Sequence, residues 1–182
     1  MIKRFLLAIV AALMLPMAAQ ATPVNYIFSG LASGQLGGQS FQRTEFTITG
    51  HADTANVGPW CCSNAQNSHS SADVTLAGLG NFSFTAPTHT WIAENCCMGF
   101  GANLSLNYLN ISSTPGLTNV GYSLATNIGP IAAINASTQG QFVNIGTSGG
   151  ALTFSDVFQM SFEARTGDST VPEPESFALV AL

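Results

Sequence analysis

The stretch FQMSFEAR, residues 158–165, alternates apolar and polar side chains without a break. Because successive side chains of a β-strand point to opposite faces, the pattern predicts a strand with one face in a core and the other in water. The residues expected to face the core are Phe158, Met160, Phe162 and Ala164. Glu163 and Arg165 lie two positions apart on the expected wet face, where an exposed ion pair contributes little stability.

The same alternation recurs along the chain. The matching runs are Val24/Tyr26/Phe28, Phe46/Ile48, Val74/Leu76, Phe82/Phe84 and Leu104/Leu106/Tyr108. Turn-forming pairs such as Gly37-Gly38, Pro115-Gly116 and Gly149-Gly150 separate them. Frequent turns between short strands predict an all-β fold, a single β-sandwich or jelly-roll-like domain of about 8–11 short antiparallel strands. The domain is expected to span residues 22–165, after an N-terminal signal helix.

Residues 1–21 have the features of a secretory signal peptide. Lys3 and Arg4 precede the apolar stretch Phe5–Leu15, and Ala19-Gln20-Ala21 matches an A-x-A cleavage site. The apolar stretch is short for a hydrocarbon core of about 30 Å. We therefore expect cleavage and a mature chain that begins near Thr22, with an uncleaved anchor as the alternative.

Charged residues are scarce. They make up 7% of the chain, against about 25% in typical soluble domains. After removal of the signal peptide, Arg43 and Arg165 are the strong cations that remain against 9 acidic residues. Affinity for nucleic acid comes mainly from Lys and Arg at phosphates, so the composition argues against a nucleic-acid partner. A neutral surface of Ser, Thr, Asn, Gln and Gly instead favours a cell-surface or matrix setting.

The character of the chain changes after residue 165. Residues 166–175 are small and polar and include Val171, Pro172, Glu173 and Pro174, which predicts a linker because proline lacks the donor that a sheet interior needs. Residues 176–182 are apolar and are expected to begin a C-terminal hydrophobic anchor.

A Pro-Glu-Pro triplet before an apolar run, in a Ser/Thr/Asn/Gly-rich chain with a signal peptide, resembles the PEP-CTERM sorting signal. The resemblance implies that the tail is recognised by an exosortase-like membrane protease of a Gram-negative bacterium that makes exopolysaccharide. It also implies export across the inner membrane and sorting through the cell envelope to the surface or matrix. The family's long membrane helix and Arg-rich cluster do not follow the triplet, so the sequence is expected to be truncated within the anchor. A defective anchor and a chance triplet in a loop are the alternatives.

The chain has 4 cysteines in two adjacent pairs, Cys61-Cys62 and Cys96-Cys97. An even number in an exported protein favours disulfides. Cross-links between the pairs, a vicinal ring at each pair, and a metal or free-thiol state all remain open. Directly adjacent cysteines match tetrahedral zinc poorly, so a structural role is favoured.

The segment Gly146–Gly150 matches G-x-S-x-G, with Ser148 at the centre. A nucleophile elbow needs a helix after the serine, whereas the sequel here has the pattern of a strand. Ser148 is therefore predicted to lie in a turn, with a small serine or histidine hydrolase as the enzymatic alternative.

The remaining polar residues form no recognisable catalytic set, and the chain is expected not to be an enzyme and to hold no metal or cofactor. The three histidines, predicted to lie in loops or at the surface, are His51, His69 and His89. Calcium binding by Asp53, Asp73 or Asp156 is a weaker hypothesis, because no D-x-D-x-D-G loop is present.

Trp60 and Trp91 are the candidate ligand-binding residues. Aromatic faces beside neutral amides suit sugars, which present apolar C–H patches and hydroxyls. Both residues also lie next to cysteine pairs, and a tryptophan packed on a disulfide is common in the core of sandwich domains, so a core position is favoured over ligand binding for both. The sequence thus predicts an exported, non-catalytic protein of the cell surface or matrix, associated with exopolysaccharide and biofilm, with a carbohydrate-binding module as the alternative.

Overall fold

The structure is a computed structural model. It describes residues 21–60, 64–93, 97–102, 107–112, 121–132, 135–139 and 142–167. These residues form thirteen strands and one short 3-10 turn, Thr54–Asn56. The strands are β1 Pro23–Leu36, β2 Gln39–Asp53, β3 Val57–Trp60, β4 Asn64–Ser68, β5 Ser71–Leu76, β6 Gly80–Ser83, β7 Thr88–Ala93, β8 Cys97–Ala102, β9 Asn107–Ser112, β10 Ile128–Ala132, β11 Asn135–Gln139, β12 Ile145–Thr147 and β13 Gly150–Thr166. The all-β prediction is confirmed, with more strands than the roughly 8–11 expected from turn spacing.

The strands form two antiparallel sheets. Sheet I has the order β10-β13-β1-β2-β5-β6, with β12 also paired to β13, and sheet II has the order β11-β9-β8-β7-β4-β3. One hydrophobic core contains residues from both sheets. Phe28 of sheet I, for example, meets Phe100 of sheet II edge to face, with 6.0 Å between ring centroids. The two sheets therefore pack as a sandwich.

The C-terminal strand β13 follows the predicted alternation along most of its length. Met160, Phe162 and Ala164 are buried in the core. On the other face the Arg165 guanidinium donates to both carboxylate oxygens of Glu163, at 2.8 and 3.0 Å. The expected pairing on the wet face is confirmed.

Phe158 does not face the core, so that part of the prediction is wrong. Between the partners of Gly30 and Ala32, β13 has one more residue than β1, which is a β-bulge. The bulge shifts the alternation, and Phe158 is only partly buried. Its ring lies 4.5 Å from the Arg43 guanidinium carbon.

The described chain enters and leaves the sandwich at one end. Val24 pairs with Thr166, and the Gly167 N–H donates to the Pro23 carbonyl at 2.9 Å. At the other end of β1, the predicted turn Gly37-Gly38 leads into β2 with φ values of 56° and 88°. Consecutive positive φ values favour glycine and are typical of tight hairpins.

Candidate functional site

An aromatic cluster lies on the outer face of sheet II. It consists of Trp60 on β3, Trp91 and His89 on β7, and Tyr108 on β9. Ring centroids are 5.1 Å apart for Trp60 and Trp91, 5.4 Å for Trp91 and Tyr108, and 6.0 Å for Trp60 and Tyr108. His89 meets Tyr108 edge to face at 6.1 Å. The two sequence-predicted tryptophans are thus in contact, and Tyr108 and His89 join them.

The alternation along β7 explains why the cluster faces outward. Ile92 belongs to the core between the sheets, so its neighbour Trp91 points away from that core. Trp91 is nevertheless only 3% exposed, because other side chains cover it. Trp60 and Tyr108 are partly exposed. Trp91 is thus buried, as the core interpretation expects, but outside the hydrophobic cluster between the sheets, whereas Trp60 is not a core residue.

The rings of Trp91 and His89 pack directly on two glycines of β8. A side chain at Gly99 would meet the Trp91 ring atoms Cζ2 and Cε2 at 3.0 and 3.1 Å, and it would collide with the Leu109 carbonyl oxygen. A side chain at Gly101 would collide with the imidazole of His89. Only glycine lets these rings lie directly on the strand.

Two buried polar atoms of this face have no hydrogen-bond partner among the described residues: the indole Nε1 of Trp91 and the amide Oδ1 of Asn110. Asn110 is 2% exposed. Gly99 is paired in register with Trp91 on one side and with Asn110 on the other. Buried polar atoms are almost always paired, so an unpaired donor and an unpaired acceptor flanking one glycine are unusual.

The part of this face that the structure describes carries no charged side chain. The described residues of sheet II include no Asp, Glu, Lys or Arg. Burial lowers the pKa of His89, which keeps its imidazole uncharged at neutral pH. A ligand that brings a charge to this face would find no opposite charge among these residues.

His69 lies in the loop between β4 and β5, as predicted, and its partly buried side chain packs against core residues. His89 differs from the prediction of a loop or surface histidine, because it is buried on strand β7. The Nδ1 of His69 is 3.0 Å from Thr88 Oγ1 and its Nε2 is 2.9 Å from Thr90 Oγ1. The ring also stacks on Phe100 at 5.5 Å. Burial, with smaller contributions from the other two histidines, lowers the pKa of His69 to about 3.

The serine and histidine side chains of sheet I do not form a nucleophile–base arrangement. Ser83 Oγ donates to Asp73 Oδ1 at 2.6 Å, and His51 Nε2 lies 3.5 Å from Asp73 Oδ2. The serine therefore contacts the carboxylate instead of the imidazole that activation needs. Ser148 lies in the turn between β12 and β13, as predicted, and its Oγ accepts from the Ser83 N–H at 3.1 Å.

The aspartates considered as calcium ligands lie apart. Asp53 Oδ1 accepts from the Ala55 N–H at 2.7 Å and caps the 3-10 turn. Asp73 is on β5 and Asp156 is on β13. Among the described residues, no group of three or more His, Cys, Asp or Glu side chains is placed to hold a metal ion.

Several predicted site residues lie outside the described part of the chain: Cys61, Cys62, Cys96 and the sorting motif Val171, Pro172, Glu173 and Pro174. Cys97, the first residue of β8, is disulfide-bonded. No helix in the described ranges is long and apolar enough to cross a membrane.

Comparisons with models of protein families, with curated proteins and with solved structures gave no match. Function is therefore inferred from the residues of this chain alone.

Proposed function

We propose that this is an exported, non-catalytic protein of the cell surface or extracellular matrix, and that its sandwich binds neutral carbohydrate on the outer face of sheet II. The observation that supports binding is the placement of Trp60 and Tyr108, whose partly exposed rings stand outside the core. Such rings offer an apolar face and a polar group together. Sugars have the complementary make-up of C–H patches and hydroxyls.

The packing beneath these rings supports a preformed site. Trp91 lies against both of them and rests on Gly99, which restricts the orientations that the two rings can adopt before a ligand binds. A preformed site loses less conformational entropy on binding. The neutral face favours an uncharged saccharide over a uronic acid polymer, because a buried carboxylate would lack a cation.

The N-terminal and C-terminal segments of the sequence support the proposed localisation at the cell surface or in the matrix. Residues 1–21 favour export, and Val171–Pro174 favours processing by an exosortase-like membrane protease. Hosts of such systems make exopolysaccharide, which would bring a carbohydrate ligand to the same compartment. The protein would then act as a matrix component that holds polysaccharide.

Binding is tested with tryptophan fluorescence and affinity electrophoresis of the exported protein against neutral and acidic exopolysaccharide fractions. Trp60→Ala should weaken binding of a neutral fraction at least about tenfold, or about 1.4 kcal/mol. Phe158→Ala removes a partly buried ring from sheet I and should leave binding unchanged. Equal binding by wild type and Trp60→Ala, or no binding of any fraction, would contradict the proposal.

Sorting is tested separately in the native host. Replacement of both Pro172 and Pro174 by Ala should keep the protein in the cell envelope and prevent its appearance at the surface or in the matrix. Asp168→Asn, in the same predicted linker, serves as the control. An unchanged distribution of the double variant would exclude tail recognition through this motif.

A further inference from the structure

We propose that Trp91 Nε1 and Asn110 Oδ1 form a two-point subsite for one hydroxyl group of a neutral saccharide. This inference rests on the proposed carbohydrate binding and names the atoms that would recognise the sugar. It is carried by the two buried polar atoms that lack partners.

The two atoms belong to neighbouring positions. Trp91 Cε2, to which Nε1 is bonded, is 3.1 Å from where a Gly99 side chain would begin. Asn110 is the register partner of Gly99 on the next strand. The absence of a side chain at Gly99 thus lets the indole of Trp91 lie directly over this position, between β7 and the strand that carries Asn110.

A hydroxyl is the group that satisfies both atoms at once. The indole N–H only donates, the amide oxygen only accepts, and a hydroxyl both accepts and donates. A carboxylate could use the indole but not the amide oxygen, and an ammonium could use the amide oxygen but not the indole. An unpaired buried polar group carries a desolvation cost in free energy. A hydroxyl that pairs with both atoms would remove this cost on binding.

Trp60 is one of the rings that pack against Trp91. The Trp91 and Asn110 atoms are both sealed from solvent, and the ring of Trp60 packs on Trp91 from β3. β3 has four residues and stands at the edge of sheet II, paired to β4 alone. Binding at the two atoms therefore requires the rings that cover Trp91 to shift, and Trp60 is carried by a strand at the end of the sheet II order.

The subsite is tested by NMR of the indole N–H groups, since the chain has 2 tryptophans and their resonances are assigned with Trp60→Phe. The probes are neutral oligosaccharides of glucose, mannose and galactose, with an oligomer of uronic acid as the charged comparison. Binding of a neutral probe should move the Trp91 indole proton downfield and slow its exchange with water. The uronic acid oligomer should do neither.

Asn110→Leu removes the acceptor with little change in shape. It should weaken binding of the neutral probe about five- to tenfold while leaving the free protein folded. Asn81→Leu, on sheet I, is the matched control and should not change affinity. Unchanged affinity in Asn110→Leu would overturn the subsite.

The outcomes separate the two proposals. A response of Trp60 without any response of Trp91 would overturn the subsite and leave carbohydrate binding intact. No response of either indole to any saccharide would remove carbohydrate binding and the subsite with it. A Trp91 indole whose exchange is already slow and stays unchanged with every saccharide would assign the space to a structural water and overturn the subsite.

Discussion

Replacement of His69 by glutamine should remove a large part of the acid sensitivity of this fold. His69 is held neutral between Thr88 and Thr90, and burial lowers its pKa to about 3. In the unfolded chain an ordinary histidine has a pKa of about 6.5. As the pH falls from neutral, His69 therefore binds a proton in the unfolded state but not in the folded state. The free energy of unfolding decreases as a result.

The expected magnitude follows from these two pKa values. Stability is complete above the unfolded pKa and falls by up to about 1.4 kcal/mol per pH unit as the pH drops towards 3. Between pH 7.5 and pH 5 the loss from His69 amounts to about 2 kcal/mol, out of a typical total of about 5–15 kcal/mol. Burial of His89 acts in the same direction, so the difference between wild type and variant isolates the His69 contribution.

The assay is urea unfolding at several pH values from 7.5 to 5. Wild type should lose about 2 kcal/mol more than His69→Gln over this range. Asn81→Leu, which removes an exposed side chain with no titratable group, should keep the wild-type loss. The reasoning is refuted if His69→Gln loses as much stability as wild type. It is also refuted if the His69 imidazole of the folded protein is half protonated near pH 6 by NMR.

Three other changes have defined outcomes. Gly99→Ala should lower the unfolding free energy by about 1–3 kcal/mol, because the methyl group would collide with a carbonyl oxygen of β9. In Gly58→Ala the methyl meets no atom closer than 4.0 Å, so its cost in the same urea titration should stay below about 1 kcal/mol. Ser148→Ala should leave ester hydrolysis by the purified protein at the wild-type level, since Ser148 contacts a backbone amide and no base. Alkylation of the unfolded, unreduced protein should label none of the 4 cysteines. A mass that shows four labels would exclude the interpretation that the cysteines form disulfides.

The sequence predicts best the strands that are buried on one face. In β13 and β1 the alternation identifies Met160, Phe162, Tyr26 and Phe28 as core residues, and all four are buried. Such a pattern depends on one strand at a time. It needs no knowledge of which strands are neighbours.

The outer face of sheet II was harder to predict because strand β7 is buried on both sides. There the alternation cannot tell Trp91 from Ile92, and only the neighbouring strands show which of them meets the other sheet. The polar strand Asn64–Ser68 has no apolar alternation, yet it pairs on both sides. One signal was available in the sequence: Gly99 and Gly101 alternate within an otherwise apolar strand, which marks close packing on one face.

The joining of β1 and β13 at their outer ends also has a mechanical consequence. Val24 and Thr166 form the first pair of a long antiparallel ladder, whose hydrogen bonds run perpendicular to the strands. A force that pulls Val24 and Thr166 apart would therefore load these hydrogen bonds one pair after another. The two strands should then separate at a low force. Shear across the sheet would load many pairs together, so the direction of pull would decide how well the domain resists it.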